Sequence, residues 1–293
     1  GFIAAPVTVS LTVSNSPGAE IRYTLDRTEP GPASPIFSNS ISITQFTTVK
    51  ARVFAPGHLP GRAGSRTFVM MDATLTNYAG TGKLFDSNLP LVFVDSFGVN
   101  VDGSSGGSRP FRPSYTVVIS PDPKTRRASL TTPPEYAGPS GVHVRGESSA
   151  GFEQHSYSLE IWDDAAKDRD ARLLGMPAES DWALIGPWSE KTLMRNKLVF
   201  DWMLALRGED GTSVRSRFIE LFFNQTRPAS GQVGYASYRG IYLLVEKLKR
   251  GKDRVPLENL NDKTIDPELI TGGYILRKDK DDALKSNWTS PRF

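Results

Sequence analysis

The sequence predicts an α+β chain in two parts, with an all-β sandwich over residues 1–68, a connector over 69–88 and a mixed domain over 89–293. Three observations predict it. Short runs rich in Val, Ile and Thr recur at near-regular spacing in the first part, as they do in a sandwich. Leu89-Pro90-Leu91-Val92-Phe93-Val94-Asp95 is apolar almost without interruption, as in a strand covered on both faces. Met194, Leu198, Trp202 and Leu206 recur every four residues, with Leu193 and Val199 beside them, which is the stripe of an amphipathic helix.

The first part reads strand by strand. Residues 7–13 have a Val/Thr-rich strand pattern, and Ser16-Pro17-Gly18 supplies turn chemistry. Ile21-Arg22-Tyr23-Thr24-Leu25 alternates apolar and polar side chains, as a half-buried strand does. A Pro-rich loop fills residues 26–35, and residues 41–43 and 48–54 give two further strands.

In the second part, residues 98–113 are rich in Gly, Ser and Pro and read as a loop. A strand follows at 114–119, a loop at 131–140, and a strand at 141–145 that ends in the small-residue turn Gly146-Glu147-Ser148-Ser149-Ala150-Gly151. The next strand is expected at 156–162, and a short apolar run at 182–185 leads to the helix. Ser189 is its expected N-cap, Glu190 stands where the positive helix end favours a carboxylate, and Gly208 is the expected stop. The stripe is read as core packing, with Arg195, Asn196 and Lys197 between the buried positions and able to face a cleft. Strands at 216–224 and 240–246 are expected to pair, with a short helix or turn near 256–266 and a last strand at 273–278.

Thirty-five Lys and Arg stand against 32 Asp and Glu, a net charge of +3, so no nucleic-acid footprint stands out. The basic clusters at 126–127 and 247–254 are short and read as solvated surface. Cysteine is absent, which excludes a disulfide framework, a thiol nucleophile and a Cys-ligated zinc site. No apolar run approaches the roughly 18 residues of a membrane-spanning helix. The chain opens without Met, in mid-pattern, and stops at Phe293 without closing a unit, so it reads as a piece of a longer protein.

Common catalytic signatures are missing. There is no Walker loop, no GxGxxG and no HExxH. His58, His143 and His155 are scattered and have no nucleophile pattern beside them. Asp163, Asp164, Asp168 and Asp170 lack the alternation and central Gly of an EF-hand and read as a solvated loop. The turn at 146–151 gathers backbone N–H groups that can hold an anion, although Gly and Ser are also the ordinary residues of a tight turn.

Two family resemblances add to this reading. Arg145-Gly146-Glu147-Ser148-Ser149, then Ser156-Tyr157-Ser158-Leu159-Glu160, Leu173-Leu174-Gly175-Met176-Pro177, Asp181-Trp182-Ala183-Leu184 and Lys191-Thr192-Leu193-Met194-Arg195-Asn196 together resemble the spore coat CotH kinase family. Residues 238–247 and Gly272-Gly273-Tyr274-Ile275-Leu276 also fit, so the likeness runs from about residue 87 to 282. It implies an atypical protein-kinase-like α+β domain, incomplete at its C-terminus, that binds ATP with Mg2+ and phosphorylates Ser or Thr of a protein substrate. Arg145, Ser148 and Ser149 would line the phosphate loop. Glu190 and Arg195 would lie on the counterpart of the kinase regulatory helix, and Glu246 and Lys247 would end the strand leading to the adenine hinge. The family's second strand usually begins with lysines; Gln154-His155 stand there instead, so Arg145 or Lys191 is the expected replacement. The family's catalytic base and metal-binding acids lie farther on. Asp279, Asp281 and Asp282 are too near the end of the chain to take that role, so this chain is expected to lack the catalytic set.

Ile21-Arg22-Tyr23-Thr24, Asp26, Glu29-Pro30 and Val49-Lys50-Ala51 resemble the chitobiase/β-hexosaminidase C-terminal-like domain, a module of extracellular bacterial enzymes. That resemblance implies an extracellular or cell-surface bacterial protein, with polysaccharide as a further partner of the module. Two other readings stay open: a kinase-like surface scaffold without activity, favoured by Gln154-His155, and a carbohydrate-associated accessory protein.

Overall fold

The structure is a computed structural model that describes residues 1–14, 17–102, 109–207, 214–226, 230–251, 253–257, 260–261 and 263–270. The chain divides into two units, Gly1–Lys247 and Leu248–Phe293.

The first unit opens with six strands: β1 (Phe2–Ile3), β2 (Val7–Val9), β3 (Glu20–Thr24), β4 (Ile41–Ile43), β5 (Thr47–Phe54) and β6 (Gly64–Met70). They form a four-stranded sheet in the order β1-β6-β5-β3 and a two-stranded sheet of β2 and β4. Ile41 and Ile43 of β4 are buried while Ser42 between them is exposed, because successive side chains point to opposite faces. Ile41, Ile43, Val49 and Phe68 form one core with Ile3, Val7, Val9 and Tyr23, so the two sheets enclose it as a small sandwich. The Pro-rich loop after β3 returns along that strand: Tyr23 N–H reaches Pro35 C=O at 3.1 Å and Phe37 N–H reaches Ile21 C=O at 2.7 Å.

Between this sheet pair and the next strands lie α1 (Ala73–Thr76) and β7 (Asp86–Ser87). Asp72 caps α1 by accepting the Thr74 N–H at 2.8 Å. Leu75 and Phe85 are buried in a cluster with Val69, Met71, Leu91, Phe93 and Phe222, so this segment packs on the neighbouring strands.

Seven strands then close into a barrel: β8 (Leu91–Asp95), β9 (Arg112–Ile119), β11 (Tyr136–Arg145), β12 (Ser156–Ile161), β13 (Asp181–Ile185), β14 (Ser216–Asn224) and β15 (Tyr238–Glu246), in the order β11-β12-β13-β15-β14-β8-β9. The short β10 (Ala128–Ser129) pairs with β7 outside it. All barrel neighbours are antiparallel except β8 and β14, which run parallel from Leu91/Glu220 to Asp95/Asn224. Val92, Val94, Val142, Val144, Tyr157, Leu159, Trp182, Leu184, Leu221 and Phe223 fill the interior. Leu91 and Phe93 alternate with Val92 and Val94 and pack outward, so all five residues of β8 are buried. Trp182 is fully buried, its Nε1–H donating to the Glu179 carbonyl at 3.0 Å; burying such a side chain contributes about 2–3 kcal/mol.

This second part is mostly β, with few helices, where α+β was expected. β11 also begins at Tyr136, inside the expected loop, because Tyr136 to Val142 pair with β9. The long helix α2 (Arg195–Arg207) starts six residues after Ser189. Leu193 takes φ +61°, a conformation that no α-helix continues through. The apolar stripe is not core: Met194, Leu198, Val199, Trp202 and Leu206 are all exposed, Trp202 at 63% and Leu206 at 81%. The helix lies on the barrel through half-buried Phe200, against Ala183, Leu243, Val245 and Phe218. Gly208 and the strand expected at 273–278 fall outside the described residues.

In the second unit, Gly251 N–H bonds Val255 C=O at 3.0 Å, and α3 (Pro267–Ile270) is one short helical turn. Residues 256–266 are irregular where described. Among the described residues no helix is long and apolar enough to cross a membrane.

Candidate functional site

The site is built on the outer surface of β11, β12, β13 and β15, where strand alternation sorts side chains into rows. Val142 and Val144 point into the barrel, so Gly141, His143 and Arg145 point out. The register then aligns His143 with Ser158, Ser158 with Ala183, and Ala183 with Val245. One row along, Arg145 faces Ser156, and Ile185 faces Leu243. On the other side, Gly141 faces Glu160 and Glu160 faces Asp181, whose carboxylate holds Lys247 Nζ at 3.0 Å. α2 covers the Val245 end of these rows, while His143 and Arg145 stay half-exposed.

The β11–β12 turn closes beside Arg145. Gly146 has φ +92°, and a Cβ there would meet Ser149 Oγ at 2.0 Å, so the turn needs glycine. Ser148–Gly151 forms a 3₁₀ turn. Gly146, Glu147 and Ser148 are exposed, and the Arg109 guanidinium donates to the Gly146 carbonyl. Among the described residues the Ser148 and Ser149 hydroxyls hold no hydrogen bond.

Arg145 is the distinctive charge. Its partial burial lowers its pKa, and among the described residues no carboxylate pairs with it. His143 is shifted down as well, first by burial and then by the positive charges of Lys247, Arg109 and Arg145. Its Nδ1 lies 2.8 Å from the Val144 carbonyl, which places the proton of the neutral ring there. Phe111 packs edge-on at 4.6 Å between ring centroids. Glu160 moves the other way. Burial raises its pKa, and the neighbouring Asp168 and Asp181 charges add to this, although Trp162 Nε1–H donates to it at 2.7 Å.

The remaining expected site residues form a separate group. Glu190 accepts the N–H groups of Thr192, Met194 and Arg195 at 2.8, 2.8 and 3.2 Å, so it caps the approach to α2 from outside rather than within its first turn. The Thr192 hydroxyl first, and then these N–H groups, hold its pKa down at about 2. Arg195 lies 3.8 Å from it and is otherwise exposed. Lys191 stacks over the Trp188 ring at 3.9 Å. Among the described residues no hydrogen bond or ion pair joins this group to the Arg145 turn. Glu246 sits on the inward register of β15, 3% exposed, and accepts the Arg215 N–H at 2.9 Å and its guanidinium at 3.2 Å. It is part of the barrel's interior and does not join the outer rows.

Gln154 and His155 have structural partners. The Gln154 amide donates to the Ile241 carbonyl at 3.0 Å and weakly to that of Arg239, and the His155 carbonyl accepts the Tyr242 hydroxyl at 2.8 Å. They close the β12 end of the barrel onto β15.

Sequence reasoning missed His143 and Arg109. His143 was legible in principle, since two residues before Arg145 on a strand is the same face. Arg109 reaches the turn from a distant loop, and nothing in its local sequence signals that.

These features define a β-barrel protein whose outer strand face presents a basic cluster beside a glycine-dependent turn. A family model described as CotH kinase protein matches residues 142–291, and the chain belongs to that family. A model of the chitobiase/beta-hexosaminidase C-terminal domain matches residues 1–63. No curated protein matches the chain.

The residues present suit one half of Mg·ATP better than the other. Arg145, with Arg109 and His143 near it, offers positive charge and hydrogen-bond donors to a polyphosphate. Among the described residues no group of three His, Cys, Asp or Glu is placed to hold a metal ion. Asp279, Asp281 and Asp282 lie outside the described residues.

Proposed function

We propose that this chain holds the phosphates of ATP in a protein kinase that phosphorylates Ser or Thr of a protein substrate, and that it works outside the cell or at its surface. The observation behind this reading is Arg145. A partly desolvated guanidinium with no carboxylate partner is costly to keep, and a bound polyanion would offset that cost. Arg145 binds phosphate oxygens, Ser148 and Ser149 offer hydroxyls that hold no hydrogen bond among the described residues, and Arg109 holds the turn through the Gly146 carbonyl. The bound nucleotide supplies the transferable phosphoryl group, and in phosphoryl transfer the protein's part is chiefly positioning and charge neutralisation. The similarity of residues 1–63 to a module of carbohydrate-active enzymes supports the extracellular setting.

The test is phosphate transfer from ATP to protein by the full-length protein. Arg145→Ala is expected to lower kcat/KM at least about tenfold, the loss of one charge-assisted contact. Equal activity of variant and parent would remove Arg145 from the reading.

A second reading is favoured by Gln154. Its amide is engaged by the Ile241 carbonyl, where the family's second strand usually begins with lysines. In that reading the kinase-like part is a scaffold without activity, and the full-length protein would transfer no phosphate with any protein substrate.

A further inference from the structure

The strongest unassigned feature lies away from the Arg145 face, where the N-terminal sheet meets the barrel. A cleft of about 370 Å³ opens there, lined by Asp26, Thr48, Lys50 and Ser65 from the module and by Phe97, Tyr115, Trp162, Asp163 and Asp164 from the barrel part. That volume is near the lower end for small-molecule sites, roughly 300–1,000 Å³.

The two sides are fastened by polar contacts. Ser65 donates to Asp164, Lys50 Nζ lies 3.5 Å from the Asp164 carbonyl, and Arg62 lies 3.8 Å from Asp163. Each carboxylate is anchored by one oxygen. Asp26 Oδ1 accepts Thr28 N–H and Oγ1–H at 3.1 and 2.6 Å, and Asp163 Oδ1 accepts the N–H groups of Ala165 and Lys167 at 2.8 and 3.0 Å. Asp164 Oδ1 takes the Ser65 hydroxyl. Asp163 Oδ2 faces the Arg62 guanidinium, and among the described residues the Oδ2 atoms of Asp26 and Asp164 carry no hydrogen bond, so two oriented acceptors remain. The bonds that anchor Asp26 and Asp163 also lower their pKa values, which keeps both ionised.

Trp162 is a rigid wall of the same cleft. Its indole lies across Gly141, where a Cβ would meet Cζ2, Cε2 and Cη2 at 2.2–2.8 Å, and Nε1–H is fixed on Glu160. The cations are already engaged: Lys50 pairs with Glu29, and Arg27 lies over the Phe97 ring at 3.8 Å. An anionic ligand would face three carboxylates. The three acids are not placed as a metal-ligand group among the described residues. What suits one fixed aromatic plane and two oriented acceptors is a neutral molecule with an apolar C–H face and many hydroxyl donors.

We infer that the cleft between the module and the barrel binds a neutral sugar of one or two residues, stacked on Trp162 with its hydroxyls donating to Asp26 and Asp164. The site needs both parts of the chain, so residues 1–68 alone would lack it, and it is independent of the nucleotide reading.

The test is calorimetric titration of the whole chain with glucose, N-acetylglucosamine, cellobiose and chitobiose, repeated on Trp162→Ala and Asp164→Asn. At least one sugar is expected to bind saturably at a single site. Trp162→Ala should weaken that binding about tenfold, as loss of an aromatic contact does. Asp164→Asn changes an exposed side chain and keeps Oδ1 for Ser65, so it reports on the site even where the tryptophan variant fails to fold; weakening of several-fold is expected. Absence of binding by all four sugars at millimolar concentration would overturn the inference, as would binding that Asp164→Asn leaves unchanged.

Discussion

Gly141 shows how one residue fixes a neighbour. It is buried in the middle of β11, and a methyl group there would sit 2.2 Å from Trp162 Cζ2. Gly141→Ala must push the indole off its seat, and overpacking of this kind costs about 1–3 kcal/mol. Chemical denaturation should show that loss, together with altered tryptophan fluorescence. His143 gives a pH dependence. Its pKa is lowered in the folded state, so the unfolded chain binds its proton more readily. Its contribution is therefore favourable above the ordinary histidine value, near 6.5, and turns against the fold as pH falls below it. His143→Gln should lose less stability between neutral and mildly acid pH than the parent does, as measured by urea midpoints. Glu190 acts lower on the scale. Its depressed pKa of about 2 stabilises the folded chain above the ordinary glutamate value, and that stability fades as pH falls toward 2. Glu190→Gln should speed amide exchange at Thr192, Met194 and Arg195 at neutral pH.

At the scale of elements, α2 separates what periodicity shows from what packing decides. A four-residue repeat states that one face of a helix is apolar; it does not state that anything in the chain covers that face. Here the buried contact is Phe200, off the stripe, against Ala183 and Val245. Phe200→Ala should cost about 1–2 kcal/mol for a half-buried ring, whereas Trp202→Ala should change stability by less than about 0.5 kcal/mol. Denaturation of the two variants tests the orientation of the helix. The strands were more legible. Ile41-Ser42-Ile43 alternates as a half-buried strand must, and Leu91–Asp95 is apolar throughout because both of its faces are covered. β11 is longer than its sequence pattern suggests, since Ala137, Gly138 and Pro139 have weak strand propensity and are held extended by pairing with β9. The turn at Gly146 was legible as a turn, and its need for glycine follows from the nearness of Ser149.

At the scale of the whole molecule, two family likenesses were legible in the sequence, but the closed barrel was not. Barrel closure depends on β8 lying parallel to β14, strands more than a hundred residues apart, and local pattern carries no information on such a pairing. The same holds for the candidate site. Arg145, Ser148 and Ser149 are neighbours in sequence and stay together, whereas Glu246 lies on the barrel's interior side and Glu190, Lys191 and Arg195 gather before α2, placements that local sequence does not encode. His143 shares the outward face of β11 with Arg145, and Arg109 reaches the adjoining turn at the Gly146 carbonyl. The central claim is that this face of β11 and β12 receives the phosphates of ATP. Hydrogen–deuterium exchange with and without Mg·ATP measures it most directly. Protection confined to the β11–β12 turn and its flanking strands, and lost in Arg145→Ala, is the predicted result; exchange unchanged by nucleotide, or protection elsewhere with that turn unaffected, would contradict it.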